Sequence, residues 1–436
     1  MIMRLRDRLL KGSALNFIAV IFNQGSTLIA NILVARILLR QGFGEYAMLQ
    51  STLLMMASLA QVAMTNTASK YVAEYRSSDL QRVGRIFGMC VVVSLGIALL
   101  GVLILILASS WLATVMLNAP YLASPLILGA GFLFFFTING YQIGALSGLE
   151  AYLSLAKAGV ISGIFAVLAI SLGAYCGGLK GALIGLSVSA LLRYFVHNYW
   201  LKKELFSLGV NVQYRDCLKL EKSIICKFAL PWAIAGYYSV SMGWLANSFL
   251  AHQSNGYDEM ALYVAANNFR IIVLFLPNVI NTVGRSILIN EKLKGDRTRY
   301  YKIFNYNILL MFLVCLGAAI FIGCFGRSIL QVFGNDFKAG SSILWILLIG
   351  SIFEGLTIAL HQHIQAHAKI WRALFTVNIP REALLVLLAY FLVKIYGGVG
   401  LAIAYLGGTI IGLIATVLIV VSLSKNNFRT ELEIND

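Results

Sequence analysis

The chain has 436 residues, of which 59% are hydrophobic and 12% charged, with a mean hydropathy of +0.82; soluble domains carry about 25% charged residues, so a soluble globular fold and a disordered chain are both excluded. The net charge of +16 and pI near 9.6 do not mark a nucleic-acid partner, because the Lys and Arg residues sit in short loops between apolar runs and read as a topology signal. Cys90, Cys176, Cys217, Cys226, Cys315 and Cys324 form no CxxC pair and read as unpaired packing thiols, not as a disulfide framework or zinc site.

In chain order, twelve apolar runs predict transmembrane helices, each long enough for a hydrocarbon core of about 30 Å. Six fall in residues 1–200: Ala14–Ala35, Phe43–Met64, Ile86–Ala108, Leu122–Ser147, Lys157–Cys176 and Gly181–Trp200. Six more fall in residues 228–436: Phe228–Leu250, Met260–Val283, Ile303–Phe325, Ile343–His363, Ala373–Val393 and Val399–Leu423, the last followed by a short tail. Residues 201–227 form a basic linker between them. The first run follows Arg4, Arg6, Arg8 and Lys11 but has no small-x-small cleavage site, so it reads as an uncleaved span. Alternate loops hold about 25 of the 34 Lys and Arg residues, which places both termini in the cytoplasm by the positive-inside rule.

The halves echo each other. Lys11 to Tyr46 spans 35 residues and Lys227 to Tyr263 spans 36, with similar residues around each. The fold class expected is an all-α integral membrane protein of twelve helices, arranged as two six-helix bundles around a central cavity.

Polar groups within the spans carry the functional reading. Asn267, Arg270, Asn278 and Asn281 fall within roughly 80° on a helical wheel, in a run otherwise apolar enough to cross a membrane. An arginine at that depth faces a bundle interior or a watery cavity. The first span carries a similar stripe of Asn16, Asn23, Thr27 and Asn31, which fits cavity lining or interhelical hydrogen bonds. The eleventh places Asn378, Arg381 and Glu382 on one face beside Pro380, and Glu354 lies mid-span in the tenth. Glu354 and Glu382 serve either as ion-pair partners of Arg270 and Arg381 or as ion-coupling groups. Arg193, nearer the cytoplasmic end of the sixth span, lines the path or snorkels. His361, His363 and His367 form a polar cluster at headgroup level. No phosphate-binding loop occurs, so this chain hydrolyses no ATP directly, and no cofactor motif or catalytic residue stands out.

Lys11-Gly12-Ser13 before the first span, Ala35-Arg36-x-Leu38 leading into Gly42-Phe43-Gly44-Glu45-Tyr46, Leu230-Pro231 opening the second half, and Leu262-Tyr263-x-x-Ala266 followed by Pro277 resemble the Wzx-type polysaccharide flippases. These belong to the superfamily of multidrug and oligosaccharidyl-lipid exporters, and the likeness runs along essentially the whole chain. The sequence departs from the family at Ile37-Leu38-Leu39-Arg40-Gln41, where a Leu-Gly-Pro-like turn is common. The resemblance implies a flippase of the bacterial inner membrane that moves an undecaprenyl-pyrophosphate-linked oligosaccharide, such as an O-antigen unit, to the periplasmic leaflet. A polysaccharide polymerase is an implied partner. On that reading Arg270 and Arg381 pair with phosphate oxygens, the asparagines replace water around sugar hydroxyls, and Arg193 joins them among the substrate-binding residues. A drug or cation antiporter of the same fold and a membrane glycan polymerase or ligase are the competing readings.

Overall fold

The computed structural model describes residues 2–294, 297–366 and 374–432, with side chains of the first helix described from Phe22 onward. The described residues are mostly helical and contain no strand. Ten helices carry the fold: α1 (Ile2–Tyr75), α2 (Leu80–Trp111), α3 (Ala123–Leu128), α4 (Ala130–Gly148), α5 (Tyr152–Ser207), α6 (Leu230–Ala251), α7 (Gly256–Lys294), α8 (Arg297–Cys324), α9 (Ser341–Ala366) and α10 (Ile379–Leu432). Among the described residues seven helical stretches are long and apolar enough to cross a membrane, and α3 with α4, bent by 47°, makes an eighth.

That number is smaller than the twelve expected because three of these helices run through a break without ending and because α6, over the expected span Phe228–Leu250, is not among the eight. Gly178 (φ 56°) interrupts α5 and Gly397 (φ 55°) interrupts α10, both in the left-handed region that glycine enters without a Cβ clash. Leu39 does the same in α1 with φ 61° and ψ −174°, a conformation that is strained for any residue with a side chain. Each of these helices therefore holds two of the expected spans. The chain's contacts separate into two compact units, Met1–Trp244 and Leu245–Asp436, a division that falls within α6.

In the first unit α4 lies against α1 along a ridge of small residues. A Cβ added at Gly140 would lie 2.6 Å from the Gln61 carbonyl oxygen, and one at Gly144 would lie 2.2 Å from that of Thr65. Without those side chains the backbones meet, and Thr65 Oγ1 donates to the Gly140 carbonyl at 2.9 Å. In a bilayer, where lipid tails are as apolar as leucine, such close van der Waals packing is a main source of helix association. The linker helps to close this unit: Val210, Cys217 and Ile224 pack into a buried cluster with Val83, Phe87 and Tyr141. Glu221 in the linker pairs with Arg82 at 3.3 Å and Arg85 at 3.6 Å.

The second unit centres on α7, α9 and α10. At one end Leu288, Tyr300, Phe304, Ile364, Val377 and Ile419 form a buried cluster. His363 belongs to that cluster's wall, fully buried, with its Nδ1 2.9 Å from the Tyr300 hydroxyl and its ring against Tyr301 and Phe304. The headgroup-level polar cluster expected there is thus, at His363, part of a packed interior; His367 lies outside the described residues.

Candidate functional site

The charged residues expected in the second unit converge. Arg270 projects from α7, Glu354 from the middle of α9, Arg381 and Glu382 from the start of α10, and Tyr405 from the part of α10 beyond Gly397. Arg270 Nη1 lies 2.9 Å from Glu354 Oε2, and Arg381 Nη2 lies 3.2 Å from Glu354 Oε1. One carboxylate therefore holds two guanidinium groups, one on each oxygen. Arg381 Nε faces Glu382 Oε1 at 3.8 Å.

Tyr405 completes the cluster. Its hydroxyl accepts from Arg270 Nη1 at 2.8 Å and donates to Glu354 Oε2, while the Arg270 guanidinium sits 4.6 Å from the centre of its ring. Asn267, one turn before Arg270, accepts from Nε at 2.7 Å. The sequence reading missed Tyr405, because a tyrosine within an apolar span reads as bulk; its signal is a hydroxyl at mid-span that needs a partner. Local packing explains its fixed position. A Cβ at Gly350 would come within 2.6 Å of the Tyr405 ring, and one at Gly412 within 3.2 Å of the Arg381 stem.

This arrangement is not fully spent on itself. A guanidinium carries five N–H donors, and among the described residues Arg270 Nη2 and Arg381 Nη1 hold no hydrogen bond. The side chains of Arg270, Glu354 and Arg381 are 18%, 17% and 22% exposed, so the cluster is reachable without being open. Chemically it can accept an anion at the unused donors or exchange Glu354 for one.

Two other expected residues of α7 behave differently. Asn278 Nδ2 donates to the Leu274 carbonyl at 2.8 Å, back along its own helix beside Pro277. Asn281 keeps its buried Oδ1 without a hydrogen-bond partner. Neither contacts the Arg270 cluster through a hydrogen bond. Just before α10, Leu374–Asn378 forms a π-helical turn, whose longer hydrogen-bond step accommodates the N–H that Pro380 lacks.

In the first unit Asn23, Asn31 and Arg193 also meet. They line one cavity of about 240 Å³, together with Tyr46, Gln50 and Ser189, none of which the sequence reading had singled out as a lining group. Arg193 Nη2 donates to Asn23 Oδ1 at 3.3 Å, which turns it toward α1. The side chain of Asn16 lies outside the described residues.

A family model described as "Polysaccharide biosynthesis protein" matches residues 9–284. A protein of Shigella flexneri named "Putative O-antigen transporter" is 27% identical over 237 residues, 53% of this chain and 53% of that one. The chain thus spans about half the length of that curated relative. Among solved structures, an inward-facing multidrug resistance transporter of the MATE family in the MOP superfamily superposes with a TM-score of 0.78 at 15% identity, covering 95% of this chain and 99% of that one. The lipid II flippase MurJ in an inward closed conformation gives 0.72 at 15% identity, covering 93% and 87%. These structural likenesses establish the fold.

Proposed function

The chain belongs to the polysaccharide biosynthesis protein family, and we propose that it is a multi-pass membrane flippase carrying an undecaprenyl-pyrophosphate-linked oligosaccharide from the cytoplasmic to the periplasmic leaflet of the bacterial inner membrane. The observation that carries this reading is the pair of arginines sharing Glu354, each with donors left over for phosphate oxygens. Glu354 acts as a resident anion that holds both guanidinium groups in place until a pyrophosphate draws them away. Bidentate guanidinium–phosphate contacts are strong enough to compete with a carboxylate in a site partly shielded from water.

A glycan needs its hydroxyls satisfied along the way, since each one buried without a partner costs several kcal/mol, about 2–7 by transfer measurements. The asparagines of α1 and α7 supply replacement partners. Outward movement of an anion across an inside-negative membrane releases about 2.3 kcal/mol per charge per 100 mV, so alternating access needs no ATP. No bond is made or broken, and the chain is a transporter, not an enzyme. Glu354 and Glu382 are the groups through which an ion would couple.

The likeness to a multidrug transporter of the same fold keeps an antiporter in view, and one strain experiment separates the two. Replacing Arg270 by Ala abolishes surface glycan while the protein stays in the membrane if the flippase reading holds. Normal glycan with a properly inserted Arg270→Ala protein overturns it.

A further inference from the structure

The cavity of the first unit has a chemistry of its own. Its volume of about 240 Å³ lies below the roughly 300–1,000 Å³ typical of pockets for drug-sized ligands. Among the described residues Arg193 is its only charged lining residue, and no carboxylate lies within salt-bridge distance of that guanidinium. A cation-binding or proton-accepting site at this depth wants a carboxylate, and among the described residues this one has none. An arginine paired only with an amide oxygen is instead a cation awaiting an anion.

The remaining walls specify more than charge. Gln50 adds an amide that can donate and accept as sugar hydroxyls require, and Ser189, whose hydroxyl donates to the Leu186 carbonyl at 2.7 Å, adds an acceptor. Tyr46, another lining residue, is fully buried, and its hydroxyl has no hydrogen-bond partner among the described residues. Phe132 and Phe136 form another wall, with ring centres 5.0 Å apart and planes 25° from parallel. An aromatic wall suits the apolar C–H face of a pyranose, whereas a pyrophosphate has no apolar face and carries more charge than one arginine balances.

We propose that this cavity is a monosaccharide subsite that selects a carboxylate-bearing sugar of the transported glycan, with Arg193 pairing to the carboxylate. It rests on the flippase reading for the identity of its ligand class, but it involves none of the residues of the Arg270 cluster.

Purified full-length protein in lipid nanodiscs, probed by saturation-transfer NMR with glucuronate, glucose and inorganic pyrophosphate, tests it. Glucuronate should bind at least about tenfold more tightly than glucose, the ratio expected of a hydrogen bond to a charged group. Arg193→Gln should bring glucuronate down to the level of glucose. Ala166→Leu, which fills the cavity from its α5 wall, should abolish both signals at an unchanged melting temperature. Gly96→Ala, at a site with open space around it, should change nothing. Equal binding of the two sugars, Arg193-dependent binding of pyrophosphate alone, or no saccharide binding by the folded wild type would each overturn the subsite. Glucuronate binding in a protein whose Arg270→Ala form still exports glycan would leave the subsite standing and remove the transport assignment at Arg270.

Discussion

Arg270 and Glu354 face each other at 2.9 Å with the Tyr405 hydroxyl bonded to both. The tyrosine is thus the hinge pin of the charge cluster, ordering an ion pair that would otherwise have several geometries. Tyr405→Phe removes both bonds while the ring keeps its place against Gly350. The expected cost is about 1–3 kcal/mol, the penalty of leaving buried polar groups unsatisfied. A fall in melting temperature of the detergent-solubilised variant checks it, together with reduced but not abolished glycan export.

Because Glu354 serves two arginines, removing it should cost more than removing one of them. Glu354→Gln leaves the Arg270 guanidinium without its carboxylate and Arg381 with Glu382 alone, a change worth about 3–5 kcal/mol where a buried pair is broken. Adding Arg381→Ala to Glu354→Gln should recover part of that loss. A double-mutant cycle on thermal stability measures the coupling directly; strict additivity would mean that the pair contributes nothing as a pair.

Leu39 is 71% exposed and sits at φ 61°, ψ −174°, a region populated almost solely by glycine at a strain of about 1–3 kcal/mol for other residues. Its side chain contributes little packing at that exposure. Leu39→Gly relieves the strain and forfeits about 0.5–1 kcal/mol of backbone entropy. A net rise in melting temperature is expected, and a fall would place the strain elsewhere.

The ridge between α1 and α4 predicts the opposite response to bulk. Gly144→Val drives a branched side chain into the Thr65 backbone, where a single Cβ already lies 2.2 Å from the carbonyl oxygen. Loss of folded protein from the membrane fraction is expected. Gly96→Ala, with nothing within 4 Å of the added Cβ, is the matched control and should express normally.

Much of this was legible in the sequence because charges in apolar runs are costly enough to stand out. Arg270, Glu354 and Arg381 announce themselves in that way, and their meeting is what α7, α9 and α10 bring about. Tyr405 was not legible, since its role depends on two partners from other helices. The Gly140-Gly144-Gly148 spacing was present in the sequence as a four-residue repeat of small residues, yet only the neighbouring backbone of α1 gives it meaning. The helix ends were the weakest inference: the gap between the first two apolar runs, Ala14–Ala35 and Phe43–Met64, marks a connection, but there the backbone turns through one strained residue, Leu39, and continues as helix. The first-unit cavity joins Asn23 and Arg193, 170 residues apart, a separation over which spacing carries no information.

The central claim is that the Arg270–Glu354–Arg381 cluster receives the phosphate of a lipid-linked glycan. Proteoliposomes holding purified protein and a fluorescent undecaprenyl-pyrophosphate-linked oligosaccharide, read by its accessibility to an external glycosidase, measure this most directly. Wild-type protein should move the lipid between leaflets without ATP, faster when the membrane potential favours outward passage of the anion, and Arg270→Ala should move it no faster than protein-free vesicles. Equal rates for wild-type and folded Arg270→Ala protein would contradict the account.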